Sequence, residues 1–142
     1  MSGYLLDTHV LLWAGVGSDR LSLRARALLD DTEVDVRFSV ASIWEVVIKS
    51  QLGRPDFRMN PEAVRSYARL AGLAEVPILA EHVLGVMAMP RLHNDPFDCL
   101  LIAQARAEKL TLLTADRQVL EYGAAVELIW RPTQVPSMAR RP

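Results

Sequence analysis

The sequence predicts an α/β fold with a mostly parallel sheet covered on both faces. Two observations carry that expectation. Helical stretches alternate along the chain with short apolar runs of strand length, such as Tyr4-Leu5-Leu6 and Leu110-Thr111-Leu112-Leu113-Thr114. Those runs are nearly continuous in apolar residues, as strands buried on both faces are.

Taken in order, Gly3-Tyr4-Leu5-Leu6 is a buried strand that passes through Asp7 into a helix from Thr8 to about Trp13. Gly15-Val16-Gly17-Ser18 reads as a loop. Ser22 caps a helix through Leu29, with Ala25, Leu28 and Leu29 on one side and Arg24 and Arg26 on another. Val34-Asp35-Val36-Arg37-Phe38 alternates as a half-exposed strand does. Ser42-Ile43-Trp44-Glu45 has the capping-box form, which places a helix start there, with the helix running to about Leu52 and stopping at Gly53. Arg54 to Arg58 is a loop. Asn60-Pro61-Glu62 opens a helix through about Leu70, ended by Gly72. Ala74 to Ile78 is a short strand, and Glu81 to Met89 a helix broken by Pro90.

The clearest helix start is His93-Asn94-Asp95-Pro96-Phe97-Asp98. Asp95 can accept from unpartnered first-turn amides, and Pro96 follows where a missing N–H costs nothing. Leu100, Leu101, Ile102, Ala103 and Ala105 cover so much of the helix that it must be largely buried, to about Lys109. Leu110 to Thr114 is a β-rich run, Asp116 starts a short helix ended by Gly123, and Ala125 to Trp130 is a last strand. Residues 1–130 thus form one domain. A tail, 131–142, holds prolines and arginines without periodicity and is expected to be loose.

A chain of 142 residues with 51% hydrophobic and 23% charged residues is an ordinary globular one. A net charge of −1 argues against a general polyanion-coating protein. All basic residues except Lys49 and Lys109 are Arg, which suits bidentate phosphate contacts and equally fits a composition bias. The single cysteine, Cys99, excludes an internal disulfide and any CxxC site, and reads as a small buried hydrophobe. No basic region precedes the first apolar run, which Asp7 and His9 interrupt. Neither a signal peptide nor a membrane span is expected, and the default location is the cytoplasm. His9, His82 and His93 show no metal-ligand spacing, although His93 lies near Asp95. Trp13 and Trp44 read as core or subunit contact, and no nucleotide-binding glycine motif is present.

Four acids stand where such a fold gathers its chemistry. Asp7 ends the first strand, Asp116 follows the strand ending at Thr114, Asp98 lies one turn into a helix start, and Glu45 sits near another. In parallel α/β folds, ligands bind outside the carboxyl ends of the strands. Each acid also has a structural reading: Asp95, Asp98 and Asp116 as caps, and Glu45 as a capping-box member and partner of Lys49. Asp7 resists it most, because a charge inside an apolar run is costly unless paired. Together, the acids repel each other unless a cation sits among them, and an all-oxygen cluster suits Mg²⁺ or Mn²⁺ rather than Zn²⁺. Thr114 is positioned to donate a hydroxyl, or simply to pack.

Leu5-Leu6-Asp7-Thr8-His9 with Leu12-Trp13, Ser42-Ile43-Trp44-Glu45, Asp95-Pro96-Phe97-Asp98 with Leu101-Ile102-Ala103, and Thr114-Ala115-Asp116 resemble the four acidic motifs of PIN-domain ribonucleases, most nearly the VapC-type toxins of toxin–antitoxin pairs. The resemblance runs from about residue 3 to 130. It implies a three-layer α/β/α fold with about five mostly parallel strands, and Mg²⁺- or Mn²⁺-dependent cleavage of RNA. It also implies a homodimer, and an antitoxin that blocks the site. By motif, Asp7, Glu45, Asp98 and Asp116 are the catalytic acids. Asp7 and Asp98 hold the ion most directly, with Asp116 and Glu45 completing the set. Asp95 and Thr114 are secondary candidates. The alternatives are a catalytically idle binding module and, with less support, a phosphoacceptor or phosphatase domain. For those last two, His9 and Arg131 stand where a second acid and a lysine are wanted, and Asp7-Thr8-His9 is not DxD.

Overall fold

The structure, a computed structural model, describes residues 3–90, 95–123 and 126–128. Five strands, β1 (Gly3–Leu6), β2 (Val36–Ser39), β3 (Ala74–Val76), β4 (Leu110–Thr114) and β5 (Val126–Leu128), form one sheet in the order β3-β2-β1-β4-β5. Every pairing is parallel, with Leu5 opposite Arg37 on one side and Leu112 on the other.

Successive side chains of a strand point to opposite faces, so neighbouring residues serve different cores. Leu6, Phe38 and Leu113 enter a core with Val10, Leu11, Ala25, Val46, Phe57 and Val64. Leu5 and Leu112 enter another with Leu101, Ile102, Ala105 and Val119. The first core is closed by α1 (Thr8–Val16), α2 (Leu23–Asp30), α3 (Val40–Gln51) and α4 (Pro61–Leu70). The second lies under α6 (Pro96–Glu108), along which α5 (Ala80–Gly85) packs. The expected three-layer arrangement therefore forms, and no helix among the described residues is long and apolar enough to cross a membrane.

Several boundaries depart from the sequence reading. α1 continues past Trp13 to Val16 and ends where Gly17 adopts φ +64° and returns its N–H to Ala14 O. The capping box at Ser42 and Glu45 is absent. β2 passes straight into α3, whose N-cap is Ser39, with its hydroxyl accepting from Ala41 N at 2.9 Å. Ser42 and Glu45 therefore lie inside α3. The expected 81–89 helix is α5 followed by a 3-10 turn, Val86–Ala88. A further 3-10 turn, Pro55–Phe57, occupies the loop after α3 and buries Phe57 completely. Arg117–Tyr122 is also 3-10 rather than α. His93, the outer residues of the expected last strand and the 131–142 tail lie outside the described residues.

From β1 the chain moves outward to β2 and β3, then returns to the opposite side of β1 with β4. The order reverses between β1 and β4, and the crevice outside their carboxyl ends is where open parallel sheets bind ligands. Asp7 immediately follows β1, and Thr114 ends β4.

Candidate active site

Asp7 and Thr114 meet across that reversal. The fully buried Thr114 hydroxyl donates to Asp7 Oδ2, while Asp7 Oδ1 caps α1 by accepting from Thr8 N at 2.7 Å. Burial pushes the Asp7 carboxyl above its ordinary range and the charge of Glu45 pushes the same way. The Thr114 hydroxyl, the His9 ring and the Thr8 amide only partly offset these. Asp7 is thus a buried carboxylate that its own protein neighbours leave under-compensated.

Thr8, the first residue of α1, carries the site sideways to α3. Its hydroxyl, fully buried, donates to Glu45 Oε1 at 2.6 Å and lies 2.9 Å from the Ser42 hydroxyl. Glu45 is 2% exposed, and its Oε2 receives the Lys49 ammonium at 2.6 Å, the helical i,i+4 pairing read from the sequence. The same ammonium reaches Asp95 Oδ2 at 3.1 Å, tying α3 to the start of α6. Phe57 and Phe97 present their rings to it, with centroids 5.1 and 5.6 Å away. Desolvation lowers the Lys49 pKa, but the bonds and charges of Glu45 and Asp95 outweigh it, so the ammonium is held above its usual range.

Asp95 is the N-cap of α6 as expected, with Oδ1 accepting from Phe97 N at 2.9 Å and Asp98 N at 3.4 Å. Asp98 stands half-buried at the third position of α6. Asp116 is exposed and caps the 3-10 turn, accepting from Gln118 N at 2.9 Å, while its own N–H donates to Thr114 Oγ1 at 3.1 Å. One run of contacts thus joins Asp7, Thr8, Glu45, Lys49 and Asp95. Thr114 links Asp7 to the Asp116 backbone, and the Asp95 cap links to the Asp98 backbone. Trp44, expected in the core or a subunit contact, is 51% exposed and set edge-on to Phe97, with centroids 4.8 Å apart. Cys99 is half-buried, its sulfur 3.9 Å from the Tyr122 hydroxyl.

Sequence reasoning missed Thr8, Ser42 and the second partner of Lys49. The lone signal was a pair of small hydroxyl residues beside apolar runs. Oxygen is the only donor type in the acid set, which fits a hard divalent cation, and a cation would relieve the strain on Asp7.

A second set of potential ligands is Glu81, His82 and Glu108, whose donor atoms lie within 4.8 Å of one another. It belongs to the far end of α6, ten residues or roughly 15 Å from Asp98 at the helical rise. His82 is fully buried, and its Nδ1 accepts from Leu79 N at 3.0 Å. Its proton is therefore on Nε2, which donates to Glu108 at 2.9 Å. The ring is already committed on both nitrogens, and the trio reads as a tie between α5 and α6.

A family model described as PIN domain matches residues 4–125. No curated protein matches the sequence. Among solved structures, a toxin–antitoxin complex from Klebsiella pneumoniae is similar over 88% of this chain and 96% of that one, at 17% identity and a TM-score of 0.62. VapBC2 from Rickettsia felis, bound to a DNA fragment from its promoter, is similar over 89% and 98%, at 17% identity and a TM-score of 0.64. PAE2754 from Pyrobaculum aerophilum is similar over 99% and 91%, at 18% identity and a TM-score of 0.56.

Proposed function

Because the chain belongs to the PIN-domain family, we propose that it is a metal-dependent endoribonuclease and the toxin of a toxin–antitoxin pair. The observation that carries the nuclease reading is Asp7, a buried carboxylate at the sheet's reversal point, with Glu45 adding repulsion and Thr114 fixing its orientation. The toxin reading draws support from two structural neighbours, one titled a toxin–antitoxin complex and the other VapBC2.

In this reading Asp7, Asp98 and Asp116 would hold a divalent ion, Mg²⁺ or Mn²⁺. Such an ion polarises a phosphate oxygen and makes water more acidic. The protein's own part is positional. Thr114 and the Thr8 amide fix the two Asp7 oxygens, and Thr8 with Lys49 fixes the two Glu45 oxygens. Glu45 is thereby held in one orientation beside Asp7. An RNA strand, an antitoxin that covers the site, and a homodimer are the partners. Exposed Val83 and Met87 line one groove with exposed Trp44 and supply an apolar face that suits a protein contact.

The second reading is a catalytically idle module, favoured by the capping roles of Asp7, Asp95 and Asp116. Incubating the purified chain with total cellular RNA, with Mn²⁺ or EDTA, and mapping new 5′ ends separates the two. Discrete cuts that vanish with EDTA and with Asp98→Asn are expected. Retained cleavage by folded Asp98→Asn would remove its assigned role, and no cuts together with no Mn²⁺ binding would leave the idle module.

A further inference from the structure

We propose that Lys49 is a resident cation of the acidic site, standing where a second divalent ion would go, so that the site takes one metal ion rather than two. The inference rests on the nuclease reading and concerns what that reading leaves open, the number of ions.

Nucleases with clustered carboxylates often use two ions about 4 Å apart, held by carboxylates that reach both. The acids differ in what already holds them: both Asp7 oxygens take neutral donors, the Thr8 N–H and the Thr114 hydroxyl, whereas Glu45 and Asp95 share a cation. Glu45 has a donor on each oxygen, Thr8 on Oε1 and Lys49 on Oε2, both at 2.6 Å. Asp95 has the first-turn amides on Oδ1 and Lys49 on Oδ2. The two acids left after Asp7, Asp98 and Asp116 are thus the two that share the ammonium.

The ammonium is also built in rather than draped over the surface. Its side chain is 14% exposed, its Glu45 partner 3%. Two aromatic faces, Phe57 from the 3-10 turn after α3 and Phe97 from α6, flank the charge. An exposed lysine pair contributes little and is easily dropped, whereas a buried pair cannot lose one member without stranding the other charge. Lys49 therefore serves as a positioning residue: it compensates Glu45 and Asp95 permanently and couples α3 to α6 whether or not a divalent ion is bound.

The test counts Mn²⁺ directly, by calorimetry on the full chain without RNA. One ion per chain is expected for wild type, two for Lys49→Met, and one for Lys49→Arg, which keeps the charge. Thermal melts supply the second readout. Lys49→Met should melt below wild type in EDTA and gain more from Mn²⁺ than wild type does, because a bound ion that the unfolded chain lacks stabilises the fold. This second readout holds even where Lys49→Met folds only with Mn²⁺ present. Two ions on wild type, or one ion on Lys49→Met with an unchanged Mn²⁺ gain in melting temperature, would overturn the role of Lys49 and leave the nuclease reading intact. No Mn²⁺ on wild type would overturn both.

Discussion

Replacing Asp7 with Asn should stabilise the metal-free chain while abolishing metal-dependent cleavage. The substitution keeps the shape of the cap, since the Asn carbonyl can still accept from Thr8 N, which lies 2.7 Å from Asp7 Oδ1. What it removes is the charge. The charge-assisted bond from Thr8 N becomes neutral, and the amide nitrogen that replaces Oδ2 reverses the other bond by donating to Thr114 Oγ1, at a loss of about 1 kcal/mol each. Against that, the variant escapes the burial of a carboxylate, worth several kcal/mol even after relaxation, and the repulsion of Glu45. The Asp7 pKa lies above its ordinary 3.8, so burial and repulsion win. A net gain of about 1 kcal/mol follows, or about 3 °C in melting temperature for a chain of this size. The pH dependence has a definite sign. Between 3.8 and the raised folded value, the folded chain binds a proton that the unfolded chain releases, so stability falls as pH rises through that window and stays lower above it. Melts followed by circular dichroism in EDTA should therefore coincide near pH 4 and separate at pH 7.5, with Asp7→Asn higher. Adding Mn²⁺ should raise wild type and leave the variant where it was. A melting temperature for Asp7→Asn clearly below wild type at pH 7.5 in EDTA would refute the reasoning, because it would mean that the hydrogen bonds over-compensate the charge.

Two further outcomes concern the scaffold. Gln104 is fully buried, accepts from the Ser39 hydroxyl through Oε1 and donates through Nε2 to Pro77 O at 3.2 Å. Gln104→Leu should cost about 2–4 kcal/mol by stranding those groups, seen as a lower urea midpoint, while cleavage per folded molecule is unchanged. Lys109 closes α6 in the left-handed region at φ 59°, a conformation that glycine adopts without strain. Lys109→Gly should therefore raise stability by about 1 kcal/mol, again read from the urea midpoint.

The parts of the fold legible in the sequence were those decided within a few residues. Asn60-Pro61 and Asp95-Pro96 open α4 and α6 where the cap-then-proline logic puts them, and Leu110 to Thr114 is a strand from end to end. The start of α3 was not legible, because Ser39 and Ser42 are both plausible caps. The choice was made by β2, in which Ser39 pairs with Val76 of β3, so the helix begins directly off the strand. Ser42 and Glu45 were then free for a different task, set by Thr8, whose positions are 34 and 37 residues away in the chain. No local pattern carries that information.

The same division explains why the acids were hard to sort. Capping and ligation ask for the same residue in the same place, since a helix start after a strand is both an orphaned set of amides and the edge where ligands bind. Asp95 and Asp116 do cap, as their neighbours predicted, and that finding alone leaves their chemistry open. Burial is what separates them from Asp7 and Glu45. A cap works at the surface, so nothing about capping requires a carboxylate at 2–6% exposure. Nor does it require one held by side chains from other elements, as Thr114 of β4 holds Asp7 and Thr8 of α1 holds Glu45. Those costs are met twice within one run of contacts, at the one reversal in the strand order. That coincidence, which depends on sheet topology and is invisible to any single motif, is the reason to place the chemistry there.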